Sequence, residues 1–222
     1  MYEGIVVDYG HGIDTPGKYY KFTDHQGFEC REWITNRMTA ARFIKFCVLD
    51  NRAHYDCVAD KVWTRTEVLA SDWSWKKLYQ KDVPLATRAA RANTRSRWPL
   101  LSFHSNAIGY ANEGPSLNAR GGCMYTSPGQ TAADKIAESI YSAFVKSFKS
   151  EPVFMQRGDL SDGDHDREAR FSMLTKTIAP AILGEMLFFV NINDARYLMS
   201  ARGQDVIAYA YYTGIAPYIR IR

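Results

Sequence analysis

Ile5-Val6-Val7-Asp8-Tyr9-Gly10-His11-Gly12 is a β-branched run that closes on a histidine held between two glycines. The apolar part reads as a strand. The glycines let the backbone turn sharply at its end and leave the imidazole accessible. Alone, this describes a turn with a surface histidine. Two later runs change its weight. Pro99-Leu100-Leu101-Ser102-Phe103 is a strand that ends at His104. Ala181-Ile182-Leu183-Gly184-Glu185-Met186-Leu187 is a buried strand with a carboxylate inside it.

Helical patterns separate these strands. Ile34, Met38, Ala41, Ile44 and Val48 recur at helical spacing from Glu32 to about Asp50. Pro84 to about Arg97 reads as a helix with proline at its start and Arg88, Arg91 and Arg95 on one side. Ile136, Ile140, Phe144 and Phe148 mark a third helix over Thr131 to Lys149, and Asn193 to Ser200 and Gly203 to Gly214 read as two closing helices. Asp56 to Thr66 and Gly122 to Thr126 read as further strands. The segments Ile13 to Arg31, Ile108 to Arg120 and Gln156 to Arg167 read as loops, and Asp72 to Asp82 as a loop or short helix. This alternation predicts an α/β fold: a single domain with a mostly parallel, mixed sheet flanked by helices on both faces.

Composition narrows the function. At 222 residues the chain makes one domain. A net charge of +4 with no Lys/Arg block argues against nucleic acid and suits, weakly, an anionic polymer. The 14 Tyr and 5 Trp fill a core or line a polymer groove. Cys30, Cys47, Cys57 and Cys123 form no C-x-x-C pair, so they read as reduced thiols rather than a zinc knuckle. Met1 runs directly into a strand, so no leader is expected. The apolar stretch Val206 to Ile219 is broken by Gly214 and Pro217, so no membrane span is expected. Nothing in the pattern sets an oligomeric state, and a monomer is the default.

In an open α/β sheet, ligands bind at the carboxyl ends of the strands, where distant residues converge. His11, His104 and Glu185 all sit there. Two histidines and one carboxylate form the ligand set of a catalytic zinc, with a fourth position for water. Glu29 and Glu32 could each supply that carboxylate. Glu32 is the choice here, because a helix's first turn fixes its backbone and Asn36, one turn on, can hydrogen-bond it. Glu185 is then left off the metal, and its apolar setting makes it either functional or ion-paired, with Arg170 as the candidate partner. Asn106 either orients the His104 segment or touches substrate, and Arg170 is the second candidate substrate contact. His25 and His165 lie in polar loops and read as solvated. His54 reads as a surface residue, and Arg65 and Arg88 as ion-paired structure. Trp73 and Trp75 cover either a groove or the core.

These motifs together resemble a family. Ile5-Val-Val-Asp-Tyr-Gly-His-Gly12, Glu32-x-x-x-Asn36, Thr64-Arg65, Arg88-x-x-x-x-Asn93, Leu101-Ser-Phe-His-Ser-Asn106 and Ala181-Ile-Leu-Gly-Glu185 with Phe189, Asn191 and Asp194 are similar to the zinc-dependent N-acetylmuramoyl-L-alanine amidases, amidase type 3. The closing Ile207-Ala-x-Ala210 and Gly214-Ile215 resemble that domain's last helix. The resemblance implies that residues 1–222 form the catalytic domain with no separate wall-binding domain. It implies zinc held by His11, Glu32 and His104, with Glu185 as general base and later proton donor. The implied substrate is peptidoglycan and the implied bond joins the lactyl group of N-acetylmuramic acid to L-alanine. The implied place of action is the cell wall, reached by phage delivery, by another export route, or with a leader already removed. Three features depart from the family: Tyr9 stands where a proline is usual, Ile13 to Arg31 is long and polar, and Gln156 to Arg167 has no counterpart. Two other readings are a zinc peptidase cutting within the stem peptide and a catalytically inert wall-binding module.

Overall fold

A computed structural model describes residues 1–50, 54–59, 69, 80–110, 114–115, 117–153 and 156–220. In chain order the elements are β1 (Gly4–Tyr9), β2 (Tyr19–Phe22), β3 (Phe28–Arg31), α1 (Glu32–Leu49), β4 (His54–Cys57), α2 (Leu85–Asn93), β5 (Leu100–Asn106), β6 (Gly109–Tyr110), β7 (Gly114–Pro115), β8 (Gly122–Thr126), α3 (Asp134–Ser147), β9 (Arg167–Glu168), α4 (Ser172–Thr175), β10 (Ala181–Phe188), α5 (Ile192–Met199) and α6 (Ala201–Ile215).

A six-stranded sheet runs in the order β4-β1-β5-β10-β8-β9. The first four strands are mutually parallel, and β8 is antiparallel to β10 and carries β9. The mixed, mostly parallel sheet therefore has helices on both faces. Ile5, Val7 and Tyr9 of β1 pack into the larger core with residues of α1, α3 and α6, while Val6 joins a smaller core with α2 and α4. Strand alternation accounts for that split. The last two helices are capped in sequence. Asn191 accepts from the amides of Asn193 and Asp194, and Ser200 accepts from Gly203. Both caps satisfy amides that the first helical turn leaves without partners.

Four segments differ from the sequence reading. The segment 13–31, read as a loop, carries the β2–β3 hairpin. β5 continues past His104 to Asn106. The segment 108–120, read as loop, carries the small β6–β7 hairpin. The strand read over 56–66 is β4, beginning at His54, and the described part ends at residue 59. Thr64, Arg65, Trp73 and Trp75 lie outside the described residues. All four cysteines are buried, and among the described residues no helix is long and apolar enough to cross a membrane.

Of the three arginines read on one side of this helix, Arg88 faces inward while Arg91 and Arg95 are exposed. Arg91 donates to the Val58 carbonyl, and Arg95 pairs with Asp56. Arg88 is fully buried. Its guanidinium donates to Asp8 (2.7 Å), Asp82 (2.6 Å) and the carbonyls of Tyr9 and Val83. Asp8 also accepts from the Ser102 hydroxyl at 2.6 Å. This network ties β1, β5 and α2 together directly behind the Gly-His-Gly turn, and Arg88 is ion-paired structure, as read from the sequence. Truncating one partner of such a pair strands the other charge, at about 3–5 kcal/mol. Arg88→Met is expected to lower the unfolding free energy by about that amount, measured by urea titration; an unchanged midpoint would refute the assignment.

Candidate active site

The site lies where β1, β5 and β10 end. His11 has a left-handed backbone, with φ of 67°, which costs a non-glycine residue energy and persists only where its surroundings enforce it. Both flanking glycines are needed for close approach. A Cβ on Gly10 would fall inside the His104 ring, and one on Gly12 would collide with the backbone of Lys81 and Asp82. The turn is held from several sides. Gly10 donates to the Phe103 carbonyl (3.0 Å) and accepts from Asn36 (3.1 Å), Gly12 donates to the Thr15 hydroxyl (2.9 Å), and Arg37 donates to the His11 carbonyl (3.0 Å).

Glu32 is the first residue of α1, where the helix's positive end favours a carboxylate. Its side chain is 1% exposed. One oxygen, Oε1, lies 3.3 Å from His11 Nε2 and 3.0 Å from His104 Nδ1. The Ser105 amide donates to the same oxygen at 3.3 Å, and the Asn36 amide at 3.5 Å. Oε2 lies 3.5 Å from Lys18 Nζ. The two imidazoles meet edge to face, with centroids 5.0 Å apart. The donor atoms of His11, Glu32 and His104 all lie within 4.8 Å of one another. Nitrogen, nitrogen and carboxylate oxygen at that spread fit one tetrahedral divalent ion, so these residues could hold a metal.

The profile of the N-acetylmuramoyl-L-alanine amidases matches residues 5–217. The chain belongs to that amidase family. Solved structures share its fold at low identity. An N-acetylmuramoyl-L-alanine amidase from Clostridium difficile 630 superposes with a TM-score of 0.67 at 21% identity over 97% of each chain. The catalytic domain of CwlV from Bacillus (Paenibacillus) polymyxa var. colistinus gives 0.70 at 17% over 97% of each. The catalytic domain of CD27L, an endolysin targeting Clostridia difficile, gives 0.57 at 15%, covering 97% of this chain and 98% of that one. No curated protein matches the sequence.

In this amidase fold Glu185 stands beside His104, its partner in the β5–β10 register. Its Oε2 is buried without a hydrogen bond. Arg170, the candidate partner, is exposed and lies elsewhere. It follows β9, which runs with β8 against the direction of β10, so it lies toward the opposite end of the sheet. That placement removes Arg170 as a partner of Glu185. Asn106 ends β5 two residues beyond His104, on the same side of the strand and half-buried. Glu29 turns away and pairs with Arg31. His165, read as solvated, is tethered: its amide and Nδ1 bond Glu138 and its ring stacks on Tyr141. His25 and His54 are exposed. Lys18, Ser105 and Arg37 were missed. Ser105 was available in principle, since it adjoins His104 in the strand, but Lys18 sits in an aperiodic loop that carries no such signal.

The charges are interdependent. Burial pushes Glu185 from its usual 4.5 up to about 7, with the neighbouring Glu32 adding to the rise and His104 and Lys18 opposing it. Burial also raises Glu32, but hydrogen bonds and charge from His104 and His11 outweigh it and hold the carboxyl well below its usual range. His104 is lowered by burial and raised further by Glu32, for a net rise. Because folded Glu185 and His104 hold protons more tightly than the unfolded chain, both favour folding at low pH; the Glu185 contribution is lost as pH rises through about 7, and that of His104 falls in the same direction. Glu32 acts oppositely, losing its contribution on acidification below its ordinary range. Chelator-treated protein is therefore expected to lose stability between pH 5 and pH 7.5, and Glu185→Gln to flatten that loss. Urea titrations at several pH values in that window check it, and equal slopes in both proteins would contradict the assignment.

Proposed function

We propose that this chain is a zinc-dependent N-acetylmuramoyl-L-alanine amidase that cleaves the amide between the lactyl carbonyl of N-acetylmuramic acid and L-alanine in peptidoglycan. Residues 1–222 would act as its catalytic domain, working at the cell wall. The observation that carries this reading is the meeting of His11 and His104 on one oxygen of Glu32, with Glu185 adjacent, in a chain of the amidase family. The likeness to an endolysin catalytic domain supports a wall-lytic role.

His11, Glu32 and His104 would hold the zinc. Bound there, zinc supplies a Lewis acid for the scissile carbonyl and lowers the pKa of water from about 15.7 to about 7. Glu185 accepts a proton from the attacking water and delivers it to the alanine nitrogen as the carbon–nitrogen bond breaks. Its raised affinity for a proton suits both halves of that task near neutral pH. Asn106, half-buried at the end of β5, would contact the substrate.

Digestion of purified peptidoglycan with and without chelator, followed by mass analysis, tests the reading. New L-alanine amino termini on intact glycan, lost on chelation, are expected. Cleavage within the stem peptide would indicate a peptidase, and binding without amine release an inert module. Glu32→Ala is expected to lose zinc on dialysis while Glu29→Ala retains it; the reverse pattern would move the ligand to Glu29. Glu185→Gln should keep its zinc and lose about 100- to 10,000-fold in turnover, and loss of zinc instead would make Glu185 a ligand.

A further inference from the structure

We propose that Arg37 is a positioning residue for His11: its guanidinium, seated on the Tyr9 ring, grips the His11 carbonyl and keeps the imidazole turned toward Glu32 and His104. This inference rests on the reading of His11 as a metal ligand.

The turn at His11 needs an external hold. Its left-handed conformation is unfavourable for a residue with a Cβ, and the flanking glycines are permissive rather than restraining. Arg37 reaches the turn from α1, five residues beyond Glu32, and donates from Nη1 to the His11 carbonyl at 3.0 Å. From the same helix Asn36 donates to the Gly10 carbonyl. One rigid helix thus carries the carboxylate and also pins the backbone of the histidine that faces it.

The guanidinium is itself fixed. Arg37 is fully buried, 5.1 Å from the Tyr9 ring centroid and 5.6 Å from that of Trp33. A planar cation between two aromatic faces keeps its donors aimed in one direction, which a lysine ammonium does not do. Tyr9 is the position at which the sequence departs from the proline usual in the family. A proline there would restrict the backbone of its own residue; here the restraint comes from a side-chain pair acting one residue further on. Arg88 serves the other face of the strand, donating to Asp8 and the Tyr9 carbonyl, so Arg37 is the arginine directed at His11.

Three variants test this: R37M, which keeps the bulk, R37K, which keeps the charge, and Y9L, which removes the seat and leaves the grip. Zinc affinity is read by competition with a chromophoric chelator, and ligand geometry by the visible spectrum of the cobalt-substituted protein, all at temperatures where far-UV circular dichroism shows a folded chain. R37M is expected to bind zinc about 10- to 100-fold more weakly and to alter the cobalt bands, with R37K and Y9L shifted in the same direction. A merely structural role lowers the melting temperature and leaves affinity and spectrum at wild-type values; that result overturns the inference. If R37M does not fold, Y9L decides, and wild-type affinity and spectrum in Y9L overturn it equally. Wild-type protein that takes up neither zinc nor cobalt overturns the metal reading and this inference with it, whereas normal wild-type uptake with unchanged variants overturns this inference alone.

Discussion

Glu32 Oε1 is the point on which the arrangement depends. A carboxylate this deeply buried is costly unless it is paired and hydrogen-bonded, and the partners come from separate parts of the chain. His11 belongs to the turn after β1, His104 and Ser105 to β5, and Asn36 to α1 itself. Lys18, just before β2, approaches the other oxygen. Satisfying one anion therefore fixes the relative positions of two parallel strands, a helix and a loop. The helix is suited to carry it, because its first turn presents amides to a negative charge.

Much of this was legible in the sequence because it is periodic or because it violates periodicity. The apolar stripe of α1 placed Glu32 in a first turn and Asn36 above it, and both sit where that reading put them. Glu185 stood out as a carboxylate in an apolar strand, and it lies beside His104. The parallel core strands were recognisable as buried runs between helices. What was not legible depends on the direction of strands and on single long side chains. Arg170 follows a strand pairing that reverses the chain direction, so nearness in sequence to β10 misplaced it. Arg88 was read as structural from its type alone; that it meets both Asp8 and Asp82 follows only from the fold. His165 looked solvated because its loop is polar, yet Glu138 on a distant helix captures it.

Glu185 also depends on how its strand ends. β10 keeps register with β5 through the Glu185–His104 pair and then shifts before Phe188 pairs with Asn106. Leu187 takes a left-handed backbone at that irregularity. The buried Asp194 carboxylate accepts the Phe188 and Gly121 amides freed there, which draws β10, the segment leading into β8 and the start of α5 together. A bulge bends a strand and re-aims its side chains. Here it places one extra residue in β10 before pairing with β5 resumes at Phe188, while Glu185 stays paired with His104.

The balance of charge then follows from this geometry. Two carboxylates, Glu32 and Glu185, lie at one end of the sheet with two imidazoles and the ammonium of Lys18. Both carboxylates cannot remain ionised cheaply at such proximity, so one must be neutralised. The contacts at Glu32 Oε1 decide which: two imidazoles and the Ser105 amide meet that oxygen, while Oε2 of Glu32 and Oε2 of Glu185 both lack a hydrogen bond. Glu32 is thereby the carboxylate held ionised, and Glu185 the one pushed toward its protonated form. The two roles come from unequal solvation by the protein of two chemically similar side chains.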